Sequence, residues 1–164
     1  MTHRVTLVPG DSTGPELCEH VKRVVAALGA QVAWDTQPMA TGLPTPELLA
    51  SARANGTVLM AYQKGRRDES LSAPVVNLRK ALGVYANVRP AKDIVPGGRY
   101  EGVDIVIVRE NTEGLYAGLE HYIKVGPDEK AAAESIALIT RVGSERVIRY
   151  AFEYALRHGR RNIT

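Results

Sequence analysis

Cysteine is almost missing from this 164-residue sequence. The one present, Cys18, excludes an intramolecular disulfide framework and a cysteine-rich zinc site. It reads as an inert helix residue, since a buried free thiol packs as a small hydrophobe. No apolar run approaches the ~20 residues that a membrane-crossing helix needs. Aromatic residues make up only 5%, and none are interleaved among basic residues to make a stacking platform for bases. The formal charge is only +3, too weak to argue for a phosphate backbone as partner. Neither a nucleic acid nor a membrane is therefore expected. The densest basic groups, Lys64-Arg66-Arg67 and Arg157-Arg160-Arg161, stand beside glycines and read as solvated loops or helix ends. The run Met1 to Leu7 is strand-like and has no cleavage site, so no secretory signal is read there. With a single cysteine, a reducing cytoplasm is the expected location.

What is present is ordinary for a globular protein: 45% hydrophobic and 24% charged residues. A chain of this size hides roughly 70% of its unfolded surface, enough for one domain or two small ones. Val5–Val8 reads as a buried strand, and Pro9 to Gly14 as a turn. A helix is expected from Pro15 to Leu28, with Leu17, Val21, Val24, Val25 and Leu28 on one face and Gly29 as its stop. Strands follow at Gln31–Trp34 and Thr57–Met60, around a short helix from Pro46 to Ala54. Gln63 to Ser70 is a polar loop, and a helix spans Val75–Leu82. Val84–Val88, Val103–Val108, Leu115–Lys124 and Ser135–Thr140 read as extended, with a loop from Gly126 to Ala132. A last helix covers Ser144–His158, with Val147, Ile148, Ala151, Phe152 and Ala155 on its apolar face. Strands alternating with helices make an α/β fold.

Three segments carry chemistry. Pro9-Gly10-Asp11-Ser12-Thr13-Gly14 is a strand-to-helix turn. It matches no phosphate-binding motif, and the plainer reading is a tight turn with Asp11 bonding local backbone N–H groups. In the second, Arg79 sits on a helix and Arg89 ends an extended segment. Two guanidinium forks suit a polycarboxylate, although arginines at such spacing are more often surface residues. In the third, the strand ending at Val108 runs straight into Arg109-Glu110-Asn111-Thr112-Glu113-Gly114. Ligands of α/β sheets bind beyond strand ends, which makes this cluster a site candidate, and Tyr116 behind it is a candidate proton donor.

The segments Leu78–Lys92 and Asp104–Gly118 resemble, almost letter for letter, the N-terminal half of the decarboxylating β-hydroxyacid dehydrogenases. That family holds the isocitrate, isopropylmalate, homoisocitrate and tartrate dehydrogenases. Tyr85-Ala86-Asn87-Val88-Arg89-Pro90 and the stretch from Ala133 to Ala155 lean toward its NAD-type isocitrate enzymes. The resemblance implies a partial isocitrate/isopropylmalate dehydrogenase-like sheet flanked by helices, with a β clasp segment. Residues 1–92 would belong to the large α/β domain, and residues 93–164 to the small-domain part with the clasp. It also implies oxidation of a C2 hydroxyl by NAD or NADP, then loss of CO2 with Mg2+ or Mn2+ as Lewis acid. Arg79, Arg89 and Arg109 would hold substrate carboxylates, and Tyr116 would be the catalytic acid. Cofactor-binding residues are not placed by the resemblance, and no metal ligand is assigned.

Departures from the pattern set the alternatives. Ser12 stands where the family turn has a glycine. Met60 to Gly65 replaces the usual lysine and nicotinamide loop. Six and four residues before Arg79, where isocitrate enzymes have serine and asparagine, stand Ala73 and Val75. The family's catalytic lysine, metal aspartates and adenosine-binding loop have no counterpart here. The expectation is thus a chain lacking the C-terminal half and inactive alone, partnered by a second copy through the clasp or by a polypeptide carrying the missing half. The alternative is a non-catalytic pseudoenzyme or dimerising module that binds a small polycarboxylate.

Overall fold

In the computed structural model, residues 2–39, 42–64 and 73–164 are described. Strand β1 (His3–Val8) lies at the centre of a parallel sheet with the order β2–β1–β3, where β2 is Val32–Thr36 and β3 is Val58–Met60. Parallel neighbours need a crossover. Helix α1 (Gly14–Ala27) leads into β2, and helix α2 (Pro46–Asn55) into β3. The end of β1 is the most buried stretch, with Thr6, Leu7 and Val8 shut off from solvent. Val8 packs with Met39, Leu48 and Leu78, the last from helix α3 (Pro74–Leu82). Thr45 caps α2 by accepting from the Leu48 N–H at 3.2 Å, and Gly56 ends it in the left-handed region. Thr6, Asp35, Ser51 and Asn55 form a polar network on this sheet, with Thr6 Oγ1 2.7 Å from Ser51 Oγ and Ser51 Oγ donating to Asp35 at 2.7 Å.

The chain divides into two compact units, Met1–Gly83 and Val84–Thr164. The second holds two antiparallel pairs. One joins β4 (Ala86–Lys92) to β5 (Asp104–Glu110), and the other joins β6 (Gly114–Val125) to β7 (Asp128–Leu138). Helix α4 (Arg141–Arg157) packs on β5. The α/β expectation and the order of elements hold, with ends shifted by a few residues.

Several local readings change. The loop expected over Gly126–Ala132 is a two-residue turn, with Val125 paired to Asp128 and Gly126 at φ 59°. The glycine-proline pair and the alanines that follow read as loop because β7 is exposed on both faces and lacks strand alternation. The α1 stripe of Leu17, Val21, Val24 and Leu28 faces solvent, and Cys18 on the neighbouring face is buried instead. On α4, Ala155 is buried, while Ile148 and Phe152 of the expected apolar face are more than half exposed. The Asp11 carboxylate accepts from a distant backbone group, the Lys64 N–H at 2.8 Å, while its backbone carbonyl closes its own turn by accepting from the Gly14 N–H at 2.8 Å. Arg160 is not simply solvated, since its guanidinium grips both the backbone carbonyl and the carboxylate of Asp104. Most of the polar loop expected over Gln63–Ser70, with Arg66 and Arg67, lies outside the described residues.

Candidate functional site

Register decides which arginines share a surface. In the β4–β5 pair, Asn87 stands opposite Arg109 and Arg89 opposite Ile107. Side chains alternate along a strand. Asn87, Arg89, Ile107 and Arg109 therefore lie on one face of this ribbon. Arg89 Nε donates to Asn87 Oδ1 at 3.2 Å, which steadies its fork. The opposite face carries Val106, Val108 and Glu110, each part-buried.

At the end of β5 a cleft of about 380 Å³ opens, lined in part by Arg109, Glu113, Tyr116, Ser144 and Val147. Arg109 Nη2 donates to Tyr116 Oη at 2.9 Å, and the guanidinium carbon lies 5.2 Å from the centre of the same ring. Two of the four residues picked from the sequence, Arg109 and Tyr116, are thus brought into direct contact. Arg89 shares the face of Arg109. Arg79 belongs to the first unit, half-buried on the last turn of α3, before Gly83 ends that helix at φ 66°.

A dense set of bonds shapes the floor of the cleft. Glu110 accepts from the Thr112 N–H (2.7 Å), the Thr112 hydroxyl (2.6 Å), the Glu113 N–H (2.6 Å) and Arg146 (3.1 Å). Burial pushes the Glu110 carboxyl up. The Thr112 hydroxyl, the two backbone N–H groups and Arg146 outweigh that and hold it below the usual carboxylate range. Glu113 accepts from the Thr140 hydroxyl at 2.6 Å and the Thr140 N–H at 2.9 Å, and those two bonds lower its carboxyl. Thr140 in turn caps α4 by accepting from the Gly143 N–H at 3.0 Å. Arg146 also donates to Thr112 Oγ1 at 2.6 Å and lies over the Tyr85 ring at 4.8 Å.

Sequence reasoning missed Glu113, Thr140, Gly143 and Arg146 as a connected group. The readable signal was a threonine three residues before a glycine at a helix start, facing the acidic run after β5.

The described residues do not by themselves form a divalent-metal site. Among the described residues, no three His, Cys, Asp or Glu side chains converge. Glu110 and Glu113, the nearest carboxylates to the cleft, are already taken up by the bonds above.

At the strand-to-helix turn, Gly10 and Gly14 lie so close to the Tyr62 carbonyl that an added Cβ would stand 2.1 and 2.9 Å from it. Ser12 adopts φ 54°, the one non-glycine left-handed residue among those described.

A family model for isocitrate/isopropylmalate dehydrogenase matches residues 4–164. The chain is 41% identical to the mitochondrial NAD isocitrate dehydrogenase catalytic subunit 6 of Arabidopsis thaliana, over 98% of this chain and 44% of that protein. It is equally 41% identical to a regulatory subunit of the mitochondrial NAD isocitrate dehydrogenase of Dictyostelium discoideum, over 98% and 45%. The crystal structure of isocitrate dehydrogenase from Methylococcus capsulatus superposes with a TM-score of 0.84 at 48% identity, over 97% of this chain and 49% of that one. The chain thus spans less than half the length of these proteins.

The expectation of a cytoplasmic protein is overturned here, because the isocitrate dehydrogenase subunits that it resembles are named as mitochondrial. A shortage of cysteine reports reducing surroundings and does not distinguish one compartment from another.

Proposed function

This chain belongs to the isocitrate/isopropylmalate dehydrogenase family, and on that premise we propose that it supplies the carboxylate clamp and the acid of an NAD-dependent oxidative decarboxylation of a 2-hydroxy polycarboxylate. The observation that carries this reading is the Arg109–Tyr116 pair in the cleft at the end of β5. A guanidinium donating to the phenol oxygen leaves the phenolic proton to another acceptor. It also stabilises the negative charge that proton transfer would leave behind. Arg89, on the same face, and Arg79, on α3, are the further carboxylate ligands in this reading. NAD would accept the hydride when bound.

Val75 lies on the same helix as Arg79, one turn earlier, and is more than a third exposed. An apolar group there favours a substrate with an alkyl tail as much as isocitrate. The exposed apolar side chains of the β6–β7 hairpin, Leu119, Ile123, Ile136 and Leu138, support docking of a second copy there.

A second reading is a polycarboxylate-binding module without turnover. It is favoured by equal identity to catalytic and regulatory subunits and by Ser12, Ala73 and Val75. Thermal melts with isocitrate plus Mg2+, and with a 2-alkyl-malate plus Mg2+, test the clamp. The reading expects a rise in midpoint that Arg109→Ala abolishes. No rise with either ligand sinks both readings. A rise without NADH formation leaves the module alone.

A further inference from the structure

Glu113 is bonded in three directions. Its backbone N–H goes to Glu110, closing the turn after β5. Its backbone carbonyl accepts from the Tyr116 N–H at 3.3 Å. Its carboxylate is held by the Thr140 N–H and hydroxyl at the start of α4. Gly143 makes the last arrangement possible, because a Cβ there would stand 2.3 Å from the Glu113 carboxylate. A carboxylate suits this place, since the first turn of a helix presents unpaired N–H groups and a positive dipole end.

The segment carrying Tyr116 is therefore pinned at Glu113, by the carboxylate to α4 and by the backbone to the turn that begins at Glu110, the neighbour of Arg109. We propose that Glu113 is a positioning residue: by seating its carboxylate on the first turn of α4, it holds the Tyr116 hydroxyl against Arg109. Glu113 itself touches neither reacting group. The inference rests on reading Arg109 and Tyr116 as the acid and its cation, and it adds the device that aligns them. Its sequence signature is Glu113 and Gly143 together, since a side chain at 143 would occupy the place of the Glu113 carboxylate.

The test is a carbon-13 spectrum of the whole chain with labelled tyrosine rings. Tyr116→Phe identifies the Tyr116 signal, and Arg109→Ala gives its position when the contact is lost. Glu113→Ala should move that signal more than half of the way to the Arg109→Ala position, while Tyr100 and Tyr122 stay in place. Glu113→Gln keeps an acceptor oxygen for Thr140 and should restore most of the native position. Gly143→Ala should act like Glu113→Ala, because its methyl group evicts the carboxylate, and should add nothing in the Glu113→Ala background. An unmoved Tyr116 signal in Glu113→Ala overturns the proposal. So does a further shift from Gly143→Ala when the carboxylate is already gone. If Glu113→Ala does not fold, Gly143→Ala alone decides, and an unmoved signal again overturns it. No ligand enters this readout, so a failed ligand response in the native chain would strike the proposed function and not the seating of Tyr116.

Discussion

In the first unit, Leu7, Val8 and Leu48 are sealed from solvent beside Met39 and Leu78; in the second, the one buried apolar side chain among the described residues is Ala155. The second unit is instead tied together by charged hydrogen bonds: Glu110 to its turn and Arg146, Glu113 to Thr140, Arg160 to Asp104. Apolar burial stabilises by roughly 25 cal/mol per Å² and scarcely notices pH or salt. Charged struts are directional, so they place side chains well, and they are sensitive to both. The region with the clearest candidate chemistry is thus the one held by direction rather than by a core.

The largest expected effect is on the core side of this comparison. Leu48→Ala should cost about 3 kcal/mol of unfolding free energy, measured by urea denaturation, and should strip amide-exchange protection from β1 and α2. A loss below about 1 kcal/mol would mean that the cluster around Val8 does not hold the first unit.

Acid separates the two units next. The Arg160 bond lowers the Asp104 carboxyl, and Glu110 and Glu113 are lowered by the bonds described above. In the first unit only Asp35 shares this behaviour among the described residues, through Ser51 and Gln37. A carboxyl depressed in the folded state contributes stability above its unfolded pKa and loses it as pH falls through the folded value. Exchange protection should therefore fall in the second unit before the first as pH drops below the ordinary carboxylate range. Equal loss in both would erase the contrast.

Arg146→Met should cost about 1 kcal/mol, since its partners are only partly shielded, and the loosening should be confined to Glu110–Glu113 and the start of α4. The smallest effect sharpens the comparison from the other end. Ser12→Gly should raise the unfolding free energy measured by urea denaturation slightly, by about 0.5 kcal/mol, because relief of the left-handed serine outweighs the added freedom of the unfolded chain.

The sequence showed the parallel core well. Val5–Val8, the crossover helices and the glycine stops are local signals, and each element formed close to its expected place. The nearness of Arg109 and Tyr116 was legible too, because both lie on a short segment whose register follows from one strand and one turn. The seat of Glu113 was not, since Thr140 and Gly143 lie 27 and 30 residues away and meet it only once β6 and β7 have paired. The outward α1 stripe misled for a related reason: periodicity tells which residues share a face and not whether anything covers it.

The β6–β7 hairpin is wetted on both faces along most of its length. A two-stranded ribbon of this kind is marginal in water unless something lies against it. Its order is then a matter of mass action. If a covering surface binds only the ordered ribbon, each tenfold increase in its concentration above Kd adds about 1.4 kcal/mol of protection. The same hairpin would fray in a dilute solution and stand firm in a crowded assembly, with no change in its own residues.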